Sequence, residues 1–274
     1  MLADRVSLLC FAASYTLALA LELILLFRAH WLLRLLAALA ATAGLLAHTL
    51  FLAGQHISLT SATGALLFPA WVLAVFYLIG SIHHRRVAWG VFVLPVVLVL
   101  TLLARKTTVS SAGATSADAT LSADPHELWR LLHIAFFVLA AVGVCIGFIA
   151  SVMYLVQAQR LKAKAIPGRG LKLLSLERLE TMNRRALSLA FPLLSLGLLL
   201  GIVQMFQEGM PWLGWTDPRI VSTMILWAVF GIVLYLRYGY HLRGRRIALL
   251  TILAFGLLLV TLVTSHSNLP GGVP

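Results

Sequence analysis

The chain has 274 residues, 61% of them hydrophobic and only 11% charged, with a net charge of +12. A water-soluble domain of this length needs far more polar surface, so the composition excludes one and points to an integral membrane protein. The positive balance raises nucleic acid as a partner, but the distribution of the bases along the chain speaks against it.

Apolar runs long enough to cross a bilayer, roughly 17–25 residues each, cover about 6–27, 31–53, 62–82, 87–104, 129–157, 186–206, 219–240 and 245–264. The expected fold is all-α: a polytopic membrane helix bundle of about eight transmembrane helices, forming a single membrane domain over 1–274. The first run is too long, and too unlike a signal with a small-residue cleavage site, to be cleaved, so it is expected to stay as a span. Sixteen of the bases flank the odd-numbered connections and five the even-numbered ones, and this asymmetry sets the orientation. It places the odd connections in the cytoplasm, both termini on the outer face, and the basic segments against anionic membrane lipid.

In chain order, span one carries Cys10 and, near its inner end, Glu22, placed to snorkel or to pair with Arg28. Cys10 and Cys145 both fall inside spans and read as packing residues, since no CxxC motif is present. Span two carries His48 in its outer third, in LLAHTLFLAG. An isolated imidazole within a span either bonds a neighbouring helix or has a function; both readings stand for His48. His30, His83 and His84 lie among bases on the inner side and read as interfacial, while His56 and His126 read as solvated. Residues 105–128 form a Ser-, Thr-, Ala- and Asp-rich outer loop, expected to be flexible.

Span five opens with HELWRLLHIAFF, in which Trp129, His133 and Phe137 share one helical face. The basic cytoplasmic connection 158–185 follows. Leu171, Leu174, Leu179 and Met182 stand among bases, a pattern that predicts an amphipathic helix over 171–187 lying on the inner surface. Pro69, Pro95 and Pro192 fall within spans three, four and six. The outer loop 207–218 ends in PWLGWTDP, where Asp217 and Pro218 suit the cap and first turn of span seven. Span eight ends in LVTSHSN, with His266 at its outer end.

Imidazoles and indoles thus gather at the outer face. Two imidazoles from separate helices, with an aromatic platform between them, suit a flat apolar ligand carrying a metal. Haem fits that description: its iron takes nitrogen on both faces and its ring stacks on indoles. Arg130 and Arg219 are the nearest bases for its propionates. A zinc site would show a tighter cluster such as HExxH, and none is present.

These segments resemble the cytochrome c assembly family of membrane proteins, the CcsA, CcmC and HemX group, most strongly over 126–266. The resemblance rests on LLHIAFFVLAAVGVCIGFIASVMYL with His133, LLSLERLETMNRRAL, AFPLLSLGLLLG (190–201), WLGWTDPRI, Trp227, RGRR (243–246) and His266. LLAHTL and FPAWVLAVFYL (68–78) match further family segments. Departures are Arg219-Ile220 in place of Lys-Glu after Asp-Pro, fewer tryptophans, and no second intramembrane His near the end of span seven. They place the chain nearer the HemX-like branch.

The resemblance implies a haem-binding protein of cytochrome c-type biogenesis that presents haem b, transiently held, at the outer face of a bacterial-type plasma membrane. By that carry-over His133 and His266 are the axial ligands, Trp212, Trp215 and Asp217 shape the platform, and His48 belongs to a second, intramembrane position. The implied partners are haem, membrane lipid, and a second assembly protein, apocytochrome c or a haem chaperone. It reads as an assembly factor rather than a stand-alone enzyme. Two other readings stand beside it: a HemX-like regulator of haem synthesis, and a secondary transporter, for which the chain shows neither a clear repeat nor midplane charge.

Overall fold

A computed structural model describes residues 8–27, 30–55, 57, 61–83, 87–111, 125–163, 173–207, 218–240 and 244–266. Among them are eight helices and no strand: α1 (Leu8–Leu25), α2 (Trp31–Gly54), α3 (Ala62–His83), α4 (Gly90–Ser111), α5 (Pro125–Lys162), α6 (Leu176–Gln207), α7 (Pro218–Tyr238) and α8 (Arg245–His266). Six are long and apolar enough to cross a membrane, and α4 adds a shorter apolar stretch, Gly90–Arg105. The all-helical expectation holds. The surface agrees with it: Leu36, Leu39, Leu46, Ile79, Leu199 and Leu253 are all exposed. Hydrocarbon can cover such side chains, whereas water would penalise so large an apolar surface.

The helices form two groups of four. In the first, α1 packs on α2 and α4, and α3 packs on α4 and α2. In the second, α5 packs on α6 and α8, and α7 packs on α8 and α6. Helix α3 joins the groups by touching α5 and α8, and α4 also touches α5. The α5–α6 contact is the most extensive in the molecule. With 38 residues, α5 is about 57 Å long, well beyond a hydrocarbon core of roughly 30 Å. Pro69, Pro95 and Pro192 lie inside α3, α4 and α6 without ending them. Gly244 takes a φ of +75° at the turn into α8, a backbone conformation that suits glycine, and the Tyr154 hydroxyl closes over it.

One difference from the sequence reading concerns a basic end. Of the stretch expected as a surface helix over 171–187, residues 176–187 instead enter the bundle as the first turns of α6, with Leu179 and Asn183 buried. The reason lies in the polar contacts of Asn183. Its amide nitrogen donates to Gly147 O (3.0 Å) and Ser151 Oγ (2.8 Å) on α5 and to Thr251 Oγ1 (3.2 Å) on α8. Its Oδ1 accepts from Arg237 Nη1 of α7 at 2.6 Å, and Arg237 Nη2 donates to Glu180 O at 3.0 Å. One buried asparagine therefore ties α6 to the other three helices of its group. Glu22, near the end of α1, also bonds across helices. It accepts from the Tyr77 hydroxyl of α3 at 2.7 Å, while Arg28 lies outside the described residues.

The Asn183 contacts can be ranked by size. Polar contacts between membrane helices average about 0.6 kcal/mol, whereas a hydrogen bond to a charged group contributes about 1.5–3 kcal/mol. The Arg237 bond should dominate. Thermal unfolding in mild detergent should show Asn183→Leu destabilised by about 2 kcal/mol. Asn183→Asp keeps an acceptor for Arg237 and should lose much less. Equal losses in the two variants would place the main contribution on the Ser151 and Thr251 side instead.

Candidate functional site

Of the six residues expected to form the site, the structure describes the side chains of His133 and His48. His266 ends α8, but its side chain lies outside the described residues, as do Trp212, Trp215 and Asp217. The flexible-loop expectation over 105–128 falls mostly outside them too, as do His56, the side chain of His126, and Asp217, whereas Pro218 opens α7 at its first position, as expected.

His133 sits two turns into α5 and faces α6. Its Nδ1 lies 2.7 Å from Gly197 O. A carbonyl can only accept, so Nδ1 carries the hydrogen, and in the neutral ring the lone pair is at Nε2. Among the described residues nothing bonds Nε2. The ring fits because α6 offers glycine at 201. A side chain at Gly201 would place its Cβ 2.8 Å from His133 Cε1 and 3.1 Å from Nδ1. At Gly197 the same addition would meet nothing closer than 3.6 Å, ordinary contact. Gly201 therefore makes the space for the ring and Gly197 supplies the acceptor.

The notch depends on how closely the two helices approach. Further along the interface, a Cβ at Gly143 would lie 2.9 Å from Ala190 Cβ and 3.2 Å from Ala186 O. Small residues on both sides let the backbones come together, as they do in membrane helix pairs generally. Trp129 and Phe137, expected on the His133 face, are respectively exposed and partly buried against the core. Trp227 of α7 anchors this region from the other side. Its Nε1 donates to Ser195 Oγ at 2.9 Å, and its ring stacks on Phe191 with centroids 5.9 Å apart.

His48 lies in the other helix group and is fully buried. Phe11 stacks flat on its ring, with centroids 4.4 Å apart and planes 2° apart. The Tyr15 hydroxyl stands 3.4 Å from its Nδ1. Gly44, one turn before His48, gives Tyr15 room: a Cβ there would lie 2.9 Å from Tyr15 Cε1. Beside the cage, Trp71 Nε1 donates to Thr49 Oγ1 at 2.9 Å, tying α3 to α2. His48 Nε2 has no partner among the described residues. A buried nitrogen in that state typically costs about 1–3 kcal/mol.

The two histidines therefore occupy different helix groups and different surroundings, one in a glycine notch and one in an aromatic cage. Sequence reasoning found both but missed their neighbours. Gly197 and Gly201 were legible as a GxxxG pair, the usual sign of close helix packing. Phe11 and Tyr15 carried no signal, since aromatic residues are ordinary in spans.

A family profile described as "Cytochrome C assembly protein" matches residues 59–271. The cytochrome c biogenesis protein CcsA of Thermosynechococcus vestitus is 24% identical over 243 residues, covering 76% of this chain and 75% of the relative. Its namesake from Microcystis aeruginosa is 22% identical over 249 residues, 75% of each chain. Protein HemX of Bacillus subtilis is 26% identical over 215 residues, covering 78% of this chain and 75% of the relative. No solved structure gives a significant match. The profile spans His133, the glycine notch and His266 together, and the protein belongs to the cytochrome c assembly family of multi-pass membrane proteins.

Proposed function

We propose that the protein binds haem at the outer face of a bacterial-type plasma membrane and hands it on during cytochrome c biogenesis. The observation that carries this reading is the His133 Nδ1–Gly197 O bond. Ligating histidines usually donate their second ring nitrogen to a carbonyl or carboxylate, which fixes the tautomer and strengthens the ligating nitrogen. His133 is held in that state with Nε2 unbonded. His266 would supply the opposite nitrogen, and Trp212, Trp215 and Asp217 the platform and its shape. Haem b is the cargo: it brings an iron that accepts nitrogen on both faces. The chain contributes binding, orientation and exclusion of water. Covalent attachment to an apocytochrome would need a partner, either a second assembly protein or a haem chaperone.

His48 would serve a second, intramembrane position. Its unpartnered Nε2 supports this, because a ligand there would remove the cost of a buried nitrogen without a bond. The Phe11–Tyr15 cage would have to open to admit one, since the ring is wholly enclosed.

Purified from haem-replete cells in mild detergent, the wild type should show a Soret band that is lost or shifted in both His133→Gly and His266→Gly. A folded, haem-free wild type would remove the ligand assignment. Total haem per chain, measured as the pyridine haemochrome, should fall in His48→Ala while the His133-dependent band persists; unchanged stoichiometry would return His48 to a packing role.

The notch makes a sharper demand. Gly201→Ala should push the His133 ring off Gly197 O, weakening haem retention by about tenfold, the lower end of what loss of a ligand's outer hydrogen-bond partner costs. Gly197→Ala should keep the carbonyl and behave like wild type. Equal effects from the two would show that the glycines serve helix packing alone.

The outer placement rests on the charge asymmetry. In a cysteine-free background, Gly113→Cys should react with an impermeant maleimide added to intact cells, and Ala165→Cys only after lysis. The reverse pattern would invert the orientation and put the His133 end of α5 in the cytoplasm.

A further inference from the structure

Helices α5 and α6 line a second feature, an open groove of about 710 Å³ flanked by the exposed Leu139 and Leu189. Its lining changes in one direction. It begins at Ser175, just before α6, with Glu177 and Arg178 on the helix, continues through Arg185, and from Ala186 to Leu193 is wholly apolar. The α5 wall, including Leu139, Val142 and Ile146, is apolar throughout. The groove is thus polar and basic at one end and greasy along the rest. Its mouth holds two guanidinium groups against one carboxylate, Glu177. Arg178 and Arg185 are exposed, and neither side chain has an ion pair or hydrogen bond among the described residues.

We infer that this groove binds one anionic glycerophospholipid, its phosphate on Arg178 and Arg185 and an acyl chain along Leu189 and Leu193. The dimensions agree. From Arg178 to Leu193 the helix rises about 22 Å, close to the depth of one leaflet with its headgroups, about 20–22 Å. The charges agree as well: two cations at headgroup depth favour an acidic lipid over a zwitterionic one. A partner helix, roughly 10–12 Å across with its side chains, would need acidic residues at the mouth to satisfy the same arginines. Lipid is the occupant that the surrounding medium always supplies. The inference does not depend on the haem reading, because none of these residues touches His133 or His48.

The test is native mass spectrometry of the delipidated full chain with dioleoylphosphatidylglycerol or dioleoylphosphatidylcholine. The wild type should hold the anionic phosphatidylglycerol about tenfold more tightly than the phosphatidylcholine. The double variant R178Q/R185Q should lose that preference. Leu189→Trp, which fills the groove from its open side, should weaken both lipids and leave their ratio unchanged. Thermal unfolding checks that each variant is folded. Equal retention of the two lipids by the wild type would overturn the assignment, as would a preference that survives in R178Q/R185Q. So would displacement by Leu189→Trp of protoporphyrin or of a co-purifying membrane protein while lipid retention stays unchanged. These readouts are lipid masses rather than absorbance, so they fail independently of the haem site.

Discussion

The close approach of α5 to α6 is the constraint on which the second helix group depends. Within hydrocarbon there is no hydrophobic force to press two apolar helices together, so contact area and polar bonds must do it. Gly143, Ala186 and Ala190 bring the backbones within reach. Only then can a side chain of one helix bond a main-chain carbonyl of the other. That happens twice along the pair, in opposite senses: His133 of α5 donates to Gly197 O of α6, and Asn183 of α6 donates to Gly147 O of α5. A larger residue at Gly143 would separate the helices and strain both bonds at once.

The two helix groups share a plan. Each holds a buried or part-buried polar knot towards the end that the charge asymmetry assigns to the cytoplasm. In the first group it is Glu22 with Tyr77, and in the second Asn183 with Arg237. Each holds a histidine towards the opposite end, His48 in one and His133 in the other. Because unsatisfied polar groups are costly in lipid, the knots fix which helix faces which. The histidines then stand on a frame that is already determined. They differ in what remains open to them: His133 keeps Nε2 at a partly exposed boundary, whereas His48 keeps it inside an aromatic cage.

Much of the fold was legible in the sequence because lipid imposes one rule on every span. Eight apolar runs correspond to eight helices. The ends were less legible. α6 begins at Leu176, about ten residues before its apolar run, because hydropathy reports where hydrocarbon stops, not where a helix stops. Asn183 and Arg237 were invisible for the same reason: each looks like a loop residue until a distant helix supplies its partner. His133 stood out as a polar residue at the head of a span. Its tautomer was not legible, since that follows from a carbonyl 64 positions away.

The partner chosen by His133 has an evolutionary corollary. A main-chain carbonyl is present whatever side chain occupies position 197, so no substitution there deletes the acceptor. The basicity of Nε2 is insulated from drift at its own contact. Position 201 has no such latitude, because any Cβ would crowd the imidazole. Variation that tunes this end of the molecule without dismantling it must therefore arise at positions other than 201.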